Sequence, residues 1–305
     1  MTSINTNPSA MTALRSLQAT NKELQKVQNR ISTGFRVGEA ADNAAYWSIA
    51  TTMRSDNKAL STVQDALGLG ASKIDVNYTA LNSTKDVVDE IKSKLVAARE
   101  GGVDRSKIQA EILHLQDQLR AAAGAASFSG ENWLSVDSSA AGYSTTQSIV
   151  SSFTRNSNGV TVQTIDIDIT STKLYDANDQ SGLLDSTFTT TGAGAVSVSV
   201  DTLDVADPNL DDADIDDMIS NVDAVLLSVT TAASDMGAAK KRVSLQQDFV
   251  SSLIDAIDRG IGTLVDADMN KESTRLQALQ VQQQLGIQSL TIANANAQAI
   301  LSLFQ

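Results

Sequence analysis

Apolar residues recur at alternating steps of four and three through two long stretches of the chain, the spacing of one helix face in a coiled coil. The first stretch lies between positions 49 and 98, and the second lies between positions 218 and 257. A helix over about 43–99 would be about 85 Å long at 1.5 Å per residue, too long for a compact domain of this size. The pattern predicts a mainly α fold, a long antiparallel helical rod packed like a coiled-coil bundle.

Glycines and capping residues divide the first half of the chain into three helices. The first helix is predicted over about 5–33 and is closed by Gly34. Gly101-Gly102 ends the long second helix. Asp104 is placed to cap a third helix, which is short enough to fold back on the second.

Two further signals define the returning helices in the second half. Asp207-Pro208 resembles a helix N-cap followed by proline at the first helical position. Gly260-Ile261-Gly262 predicts a break in the returning helix, and a last helix then runs from about 267 to the C-terminus.

Between about 135 and 200 the pattern changes to strand-like alternation in a Ser- and Thr-rich background. Asn158-Gly159 is a strong hairpin-turn signal. The segment predicts a small β-rich insert with a solvated surface on which Ser151 lies. The predicted domains are an N-terminal helix and turn over 1–40, rod helices over 41–134, the solvent-facing insert over 135–206, the returning helix over 207–262 and a C-terminal helix over 263–305.

The last helix has apolar residues on more than one face and carries no charge between Leu276 and Gln305. A single partner helix covers only one apolar face, so the other face must contact other chains, a membrane or water. An uncharged helix binds anionic membranes poorly, which favours contact with identical neighbouring chains. A head-to-tail contact between identical chains that does not close gives a helical filament. The predicted self-assembly residues are Leu14, Leu17, Leu24, Ile31, Leu276, Leu279, Leu290, Ile292, Ile300, Leu303 and Phe304.

Composition excludes several classes of protein. The net charge of −13 argues against nucleic-acid binding, which needs a basic surface, and against docking on an anionic membrane. The chain has no cysteine, so it has no disulfide or thiolate chemistry. No apolar run is long enough for a transmembrane helix, and the start does not resemble a cleaved signal peptide.

Few residues in the sequence suggest a catalytic, metal-binding or phosphate-binding site. His114 is the only histidine and has no nucleophile motif near it, which favours a solvated or packed side chain over a catalytic base. The acidic stretch over 207–217 begins like a calcium loop but has Asp212 and Met218 where that loop needs Gly and Glu, so a solvated helix start is favoured. Gly192 and Gly194 do not open a helix after a strand, which sets phosphate binding aside. We predict no catalytic residue, no metal and no cofactor.

Both ends of the chain resemble bacterial flagellins. The motifs are Ile-Asn-Thr-Asn at 4–7, Arg-Ile-Ser-Thr-Gly-Phe-Arg-Val at 30–37 with Ala-Ala-Asp-Asn-Ala-Ala at 40–45, and Ala-Asn-Ala at 293–295 with Gln-Ala-Ile-Leu-Ser-Leu at 298–303. Tyr46-Trp47 resembles the alphaproteobacterial branch. In many flagellins an Arg near 88–95 is recognised by an innate immune receptor. Glu90 stands in that region here, so the resemblance does not extend to receptor recognition.

The resemblance implies an extracellular, non-enzymatic subunit of the flagellar filament, exported by the flagellar type III apparatus without a cleaved signal peptide. The terminal helices would form the inner tube. Partners would be identical or paralogous flagellin subunits, an export chaperone, and the cap and hook-junction proteins. Two other interpretations of the function remain open at this point. The chain could be a hook-filament junction protein with the same terminal helices, or an amphipathic lipid-binding helical protein.

Overall fold

A computed structural model describes residues 6–100, 102–157 and 159–302, with side chains up to residue 295. The chain divides into two compact units, unit 1 with Met1–Lys58 and Ile254–Gln305, and unit 2 with Ala59–Leu253. The helices are α1 (Pro8–Thr33), α2 (Ala44–Arg99), α3 (Arg105–Ala125), α4 (Asp212–Val265) and α5 (Met269–Ser302). The strands are β1 (Ser127–Phe128), β2 (Glu131–Asn132), β3 (Ser135–Val136), β4 (Thr146–Asn156), β5 (Gly159–Asp168), β6 (Tyr175–Asp176), β7 (Phe188–Thr189) and β8 (Ser197–Val198). The predicted mainly α class with a small β-rich insert is confirmed.

The heptad pattern of α2 predicts its buried face well within unit 2. We call the positions at alternating steps of four and three the seam of each helix. Every seam position of α2 from Leu60 to Ala98 is buried, including the polar Asn77 and Thr84. The α4 seam behaves similarly, with Met218, Val229 and other seam residues fully buried. The pattern is wrong at Ile49, which is 49% exposed, because the neighbouring Ala50 is the residue that faces the core of unit 1.

The predicted caps of α1 and α3 are confirmed. Gly34 adopts a left-handed conformation with φ of 76°, and its N–H donates to the Arg30 carbonyl at 2.8 Å. The Asp104 side chain accepts the Ser106 N–H at 3.1 Å. α2 ends at Arg99, just before the predicted glycine pair, of which Gly101 lies outside the described residues.

The predicted break at Gly260-Ile261-Gly262 is wrong, because α4 continues to Val265. Each glycine inside a helix costs about 1 kcal/mol relative to alanine. Ile261 and Val265 are buried in a cluster with Val37 and Ala50, and each such side chain contributes about 1.5–3 kcal/mol when removed from water. Burial of these two residues therefore outweighs the glycine penalty.

The predicted start of α4 at Asp207-Pro208 is also wrong, because the helix begins at Asp212. Asp211 and Asp214 form a reciprocal cap: the Asp214 N–H donates to Asp211 Oδ1 at 2.9 Å, and the Asp211 N–H donates to Asp214 Oδ2 at 3.1 Å. The segment before Asp212 packs against other residues instead of joining α4. Val205 and Leu210 are buried, and the Val205 N–H donates to the Gln109 side chain.

A loop over 190–194 closes over this first turn of α4. The Gly194 N–H donates to Asp214 Oδ2 at 2.9 Å, and the Ala193 N–H donates to Asp211 Oδ2 at 3.1 Å. A Cβ at Gly192 would lie 2.5 Å from the Asp214 carboxyl carbon, so only glycine fits there. A hydrogen bond from the Thr190 hydroxyl, supported by the two backbone N–H groups, lowers the pKa of Asp214 to about 2.

The β4–β5 hairpin is the largest sheet of the insert and confirms the predicted hairpin. The strands pair antiparallel from Asn156↔Gly159 to Thr146↔Asp168, while Asn158 of the predicted turn lies outside the described residues. Residues Ile149, Ile165, Ile167 and Ile169 are buried, whereas Val160 and Val162 near the tip are more than half exposed.

The expected solvent-facing character of the insert holds for part of its surface only. Ser151 is 6% exposed rather than solvated, and its carbonyl accepts a hydrogen bond from Gln246 of α4 at 2.9 Å. The Gln116 side chain of α3 donates to the carbonyls of Val200 and Leu203 at 3.1 Å. The alternating pattern indicated one buried face, and that face packs on the helices of unit 2.

Candidate assembly surface

The candidate assembly surface lies in unit 1, where α1 and α5 pack as an antiparallel pair. Polar contacts fix their direction along the whole length. The Asn7 side chain donates to the Ala293 carbonyl at 2.9 Å, and Gln283 donates to Asn21 at 2.7 Å. At the other end of the pair, Arg30 Nη1 lies 3.2 Å from Glu272 Oε1.

The turn after α1 joins this pair to the end of α4 within unit 1. The N–H groups of Arg36 and Val37 both donate to the Val265 carbonyl, and the Ala267 N–H donates to the Gly34 carbonyl at 2.8 Å. The Arg36 guanidinium donates to the Leu264 carbonyl at 2.9 Å, satisfying a backbone acceptor at the end of α4. Phe35 lies beneath the Arg54 guanidinium, which is 4.8 Å from the ring centre. The Arg-x-x-x-Gly-Phe-Arg-Val motif therefore forms a turn that makes hydrogen bonds at the ends of α1 and α4.

Most of the predicted assembly residues face the partner helix of the same chain. Leu17, Leu24 and Ile31 of α1 are partly buried, as are Leu276 and Leu290 of α5, while Leu279 is 9% exposed. A Cβ at Gly286 would lie 3.2 Å from Leu17 Cδ1, which shows how closely the two helices approach. These residues form the contact between α1 and α5.

A second set of apolar residues on α5 points away from α1. Val281, Leu285 and Ile292 are 56%, 57% and 63% exposed. At about 100° per residue they form one stripe roughly 160° around the helix from the face that packs on α1. We call Val281, Leu285 and Ile292 the outer stripe.

On α1 the exposed large apolar side chains are Met11 and Leu14, at 51% and 44%. Of the predicted assembly residues, Leu14 and Ile292 are thus exposed in this structure. Leu303 and Phe304 lie outside the described residues, and Ile300 lies in the part of α5 whose side chains are not described.

Two features of this surface were missed by the sequence pattern. Val281 and Leu285 lie on the second apolar face of the last helix, but the predicted assembly residues do not include them. Glu272 is 6% exposed although it is charged, and it lies in the interface between the helices. Its position four residues before Leu276 continues the helical spacing, which is the signal that could have revealed it.

The other candidate sites of the sequence have ordinary surroundings. His114 is exposed on α3, and Glu90 is exposed on α2. In the described residues no group of three or more His, Cys, Asp or Glu side chains is arranged to hold a metal ion. Within the same part of the chain, none of the helices combines the length and apolar character needed to cross a bilayer.

Comparison with known proteins places both ends of the chain in one family. Residues 4–139 match the bacterial flagellin N-terminal helical region, and residues 219–304 match the bacterial flagellin C-terminal helical region. Flagellin C of Rhizobium meliloti (strain 1021) is 52% identical over the full length of both chains. The flagellin of Brucella melitensis biotype 1 is 46% identical, also over the full length of both.

Among solved structures, a Bacillus cereus flagellin superposes with a TM-score of 0.41 at 18% identity, covering 62% of this chain and 88% of that chain. The two full-length relatives are both alphaproteobacterial, in agreement with the resemblance carried by Tyr46-Trp47. Because both terminal regions match and the identity extends over whole chains, this chain belongs to the bacterial flagellin family.

Proposed function

We propose that this chain is the structural subunit of a bacterial flagellar filament and that it polymerises through the outer stripe of α5 together with Met11 and Leu14 of α1. The observation that carries the proposal is the two-sided apolar character of α5. One face is covered by α1, and the opposite face exposes three large aliphatic side chains more than half. Full-length relatives named flagellin support the same function.

The energetics favour burial of the outer stripe against other subunits. Each of Val281, Leu285 and Ile292 contributes roughly 1.5–3 kcal/mol when fully removed from water. The contribution recurs in every subunit of a polymer. Because the sequence has no charge from Leu276 to Gln305, covering this part of α5 buries no ion. Ile300, Leu303 and Phe304 belong to the same uncharged stretch of sequence and are included in the proposed surface.

The proposal includes a set of partners and a location. The partners are identical or paralogous flagellin subunits, an export chaperone, and the cap and hook-junction proteins. The subunit is extracellular, in the flagellar filament. It has no catalytic role, in keeping with a family of structural proteins. The hook-filament junction alternative has no finding that favours it over the filament subunit.

The test compares Leu285→Asp with Leu285→Met in seeded polymerisation. An unpaired carboxylate buried between subunits costs several kcal/mol, and each 1.4 kcal/mol changes an equilibrium constant about tenfold. We therefore expect Leu285→Asp to raise the critical concentration by about a hundredfold or more. Leu285→Met keeps an apolar side chain of similar volume and is expected to polymerise normally.

Pelletable polymer is measured after seeding with filament fragments, and circular dichroism of the monomer serves as the folding control. Leu285 is used rather than Leu290 because Leu290 packs in the α1–α5 interface, where a charge would disturb the pair itself. Normal polymer yield from the Leu285→Asp chain would show that the outer stripe is not an assembly surface.

A further inference from the structure

The interface between α1 and α5 is a regular heptad seam in both helices. The covered positions alternate steps of three and four: Ala10, Ala13, Leu17, Thr20, Leu24, Val27 and Ile31 in α1, and Glu272, Leu276, Leu279, Gln283, Gly286, Leu290 and Ala293 in α5. Most of these side chains are small or aliphatic. Sliding one helix by a heptad, about 10 Å, would again place apolar residues against apolar residues. The apolar part of the seam therefore discriminates poorly between registers.

Glu272 is the charged member of this seam among the described positions. Its side chain is 8% exposed, and its Oε1 lies 3.2 Å from Nη1 of Arg30, whose side chain is 18% exposed. Arg30 flanks the α1 seam and reaches over it. A buried carboxylate without a cation is strongly destabilising, so the position of Arg30 determines which part of α1 can lie opposite Glu272.

We propose that the Glu272–Arg30 pair sets the register of the terminal helices, so that α1 and α5 pair in one alignment only. A slip of one heptad in one direction would place Arg30 beside Leu279 and leave Glu272 beyond the end of α1. A slip in the other direction would place Glu272 beside Glu23, a like charge. A single polar residue at a coiled-coil core position is known to specify register in this way, at a cost in stability.

The remaining polar contacts of the pair discriminate less. Arg275 and Glu23 lie 3.0 Å apart, but each is 49% exposed, and exposed ion pairs contribute little. A slip of one heptad would place Asn21 opposite Leu276 or Leu290 and break the Gln283–Asn21 hydrogen bond, but this bond joins neutral side chains, and losing it costs less than leaving a buried charge without a partner. Arg275 therefore provides a control position on α5, since its replacement breaks only this exposed ion pair.

The register can be read directly by disulfide formation, because the chain has no cysteine of its own. A Cβ at Gly286 would lie 3.8 Å from the Leu17 Cβ, the usual separation across a disulfide. A chain with Leu17→Cys and Gly286→Cys reports the observed register. Chains that combine Gly286→Cys with Ala10→Cys or with Leu24→Cys report a slip of one heptad in either direction, since these pairs are about 10 Å out of alignment.

Each cysteine pair is placed in the full-length chain, and the intramolecular disulfide is quantified under mild oxidation. In the otherwise unchanged chain we expect the Leu17–Gly286 pair to form about tenfold more disulfide than either slipped pair. With Arg30→Leu and Glu272→Leu the preference should fall to about threefold or less, although the helix content stays the same, because an apolar replacement of a buried ion pair is often neutral or stabilising.

Two further variants separate register from general stability. The exchange Arg30→Glu with Glu272→Arg should restore the preference of the Leu17–Gly286 pair over the Leu24–Gly286 pair, and Arg275→Leu, which leaves Glu23 in place, should leave the preference unchanged. An undiminished preference after Arg30→Leu with Glu272→Leu would overturn the proposal, as would equal disulfide formation by all three pairs in the unchanged chain. These readouts concern one chain and do not depend on whether it polymerises.

Discussion

Gly70 of α2 lies directly against Ile149 of β4, and a Cβ at Gly70 would be 2.5 Å from Ile149 Cγ2. Both residues are buried, so the hairpin of the insert approaches the helix as closely as a residue without a side chain permits. The contact shows that the insert and the helices of unit 2 share one core.

Gly70→Ala is expected to destabilise the monomer. Alanine favours the helix by up to about 1 kcal/mol, but the added methyl group would push against a β-branched side chain, and overpacking costs about 1–3 kcal/mol. We expect a net loss of roughly 1–2 kcal/mol in urea unfolding followed by circular dichroism. Gly124→Ala in α3 is the matched control, because a Cβ there meets nothing within 4 Å, and it should stabilise by about 0.5–1 kcal/mol. A Gly70→Ala chain as stable as the parent would contradict the close contact.

Gly260→Ala should stabilise unit 1, because α4 continues through this position. Removing a glycine from a helix interior gains about 0.5–1 kcal/mol. A Cβ there would lie 3.2 Å from the terminal carbon of Met53, a flexible side chain that can move aside. Amide hydrogen exchange of residues 255–265 should slow in this variant. Faster exchange in the same residues would favour a helix break at Gly260.

The stability of the α4 start should depend on pH through Asp214. Hydrogen bonding from Thr190 and from backbone N–H groups lowers the pKa of Asp214 to about 2, below its ordinary value of 3.8. A lowered folded-state pKa adds stability above pH 4 that is lost as the pH falls from about 4 towards 2. Asp214→Asn should therefore lower Tm clearly at pH 7, and the difference from the parent should shrink between pH 4 and pH 2.

Asp235→Asn provides the control for the loss of a carboxylate from α4. Asp235 is exposed on the same helix and is not part of the cap, so its replacement should change Tm little at pH 7. A constant Tm difference between the parent and Asp214→Asn from pH 7 to pH 2 would show that the carboxylate of Asp214 does not stabilise the folded chain.

Limited proteolysis of the monomer should leave a resistant fragment bounded near residues 45 and 260. The α1–α5 pair has one covered seam and an exposed outer stripe, so it should open at lower free energy than unit 2. Trypsin, with the fragments identified by mass spectrometry, is expected to cut within α1 and near the start of α5 first. Equal protection of α1, α5 and unit 2 would contradict this expectation.

The sequence by itself determined the helices, their buried faces and the family. Heptad spacing identified the core of α2 from Leu60 to Ala98, because a helix that packs on another helix must repeat its apolar residues at that spacing. Gly34 and Asp104 marked helix ends through local backbone geometry, which depends on few neighbours. The motifs at both ends were sufficient to indicate a flagellin.

At positions where local preference and packing favour different structures, only the tertiary structure determined the outcome. Gly260 and Gly262 favour a break, but the burial of Ile261 and Val265 carries α4 onward. Ser151 belongs to a polar stretch, yet its carbonyl is held by Gln246, a residue 95 positions away. Glu272 is charged, and charged residues usually lie on the surface. It lies in the interface only because Arg30, 242 positions earlier, is opposite it. In each case the deciding partner is distant in sequence, and periodicity along one segment carries no information about it.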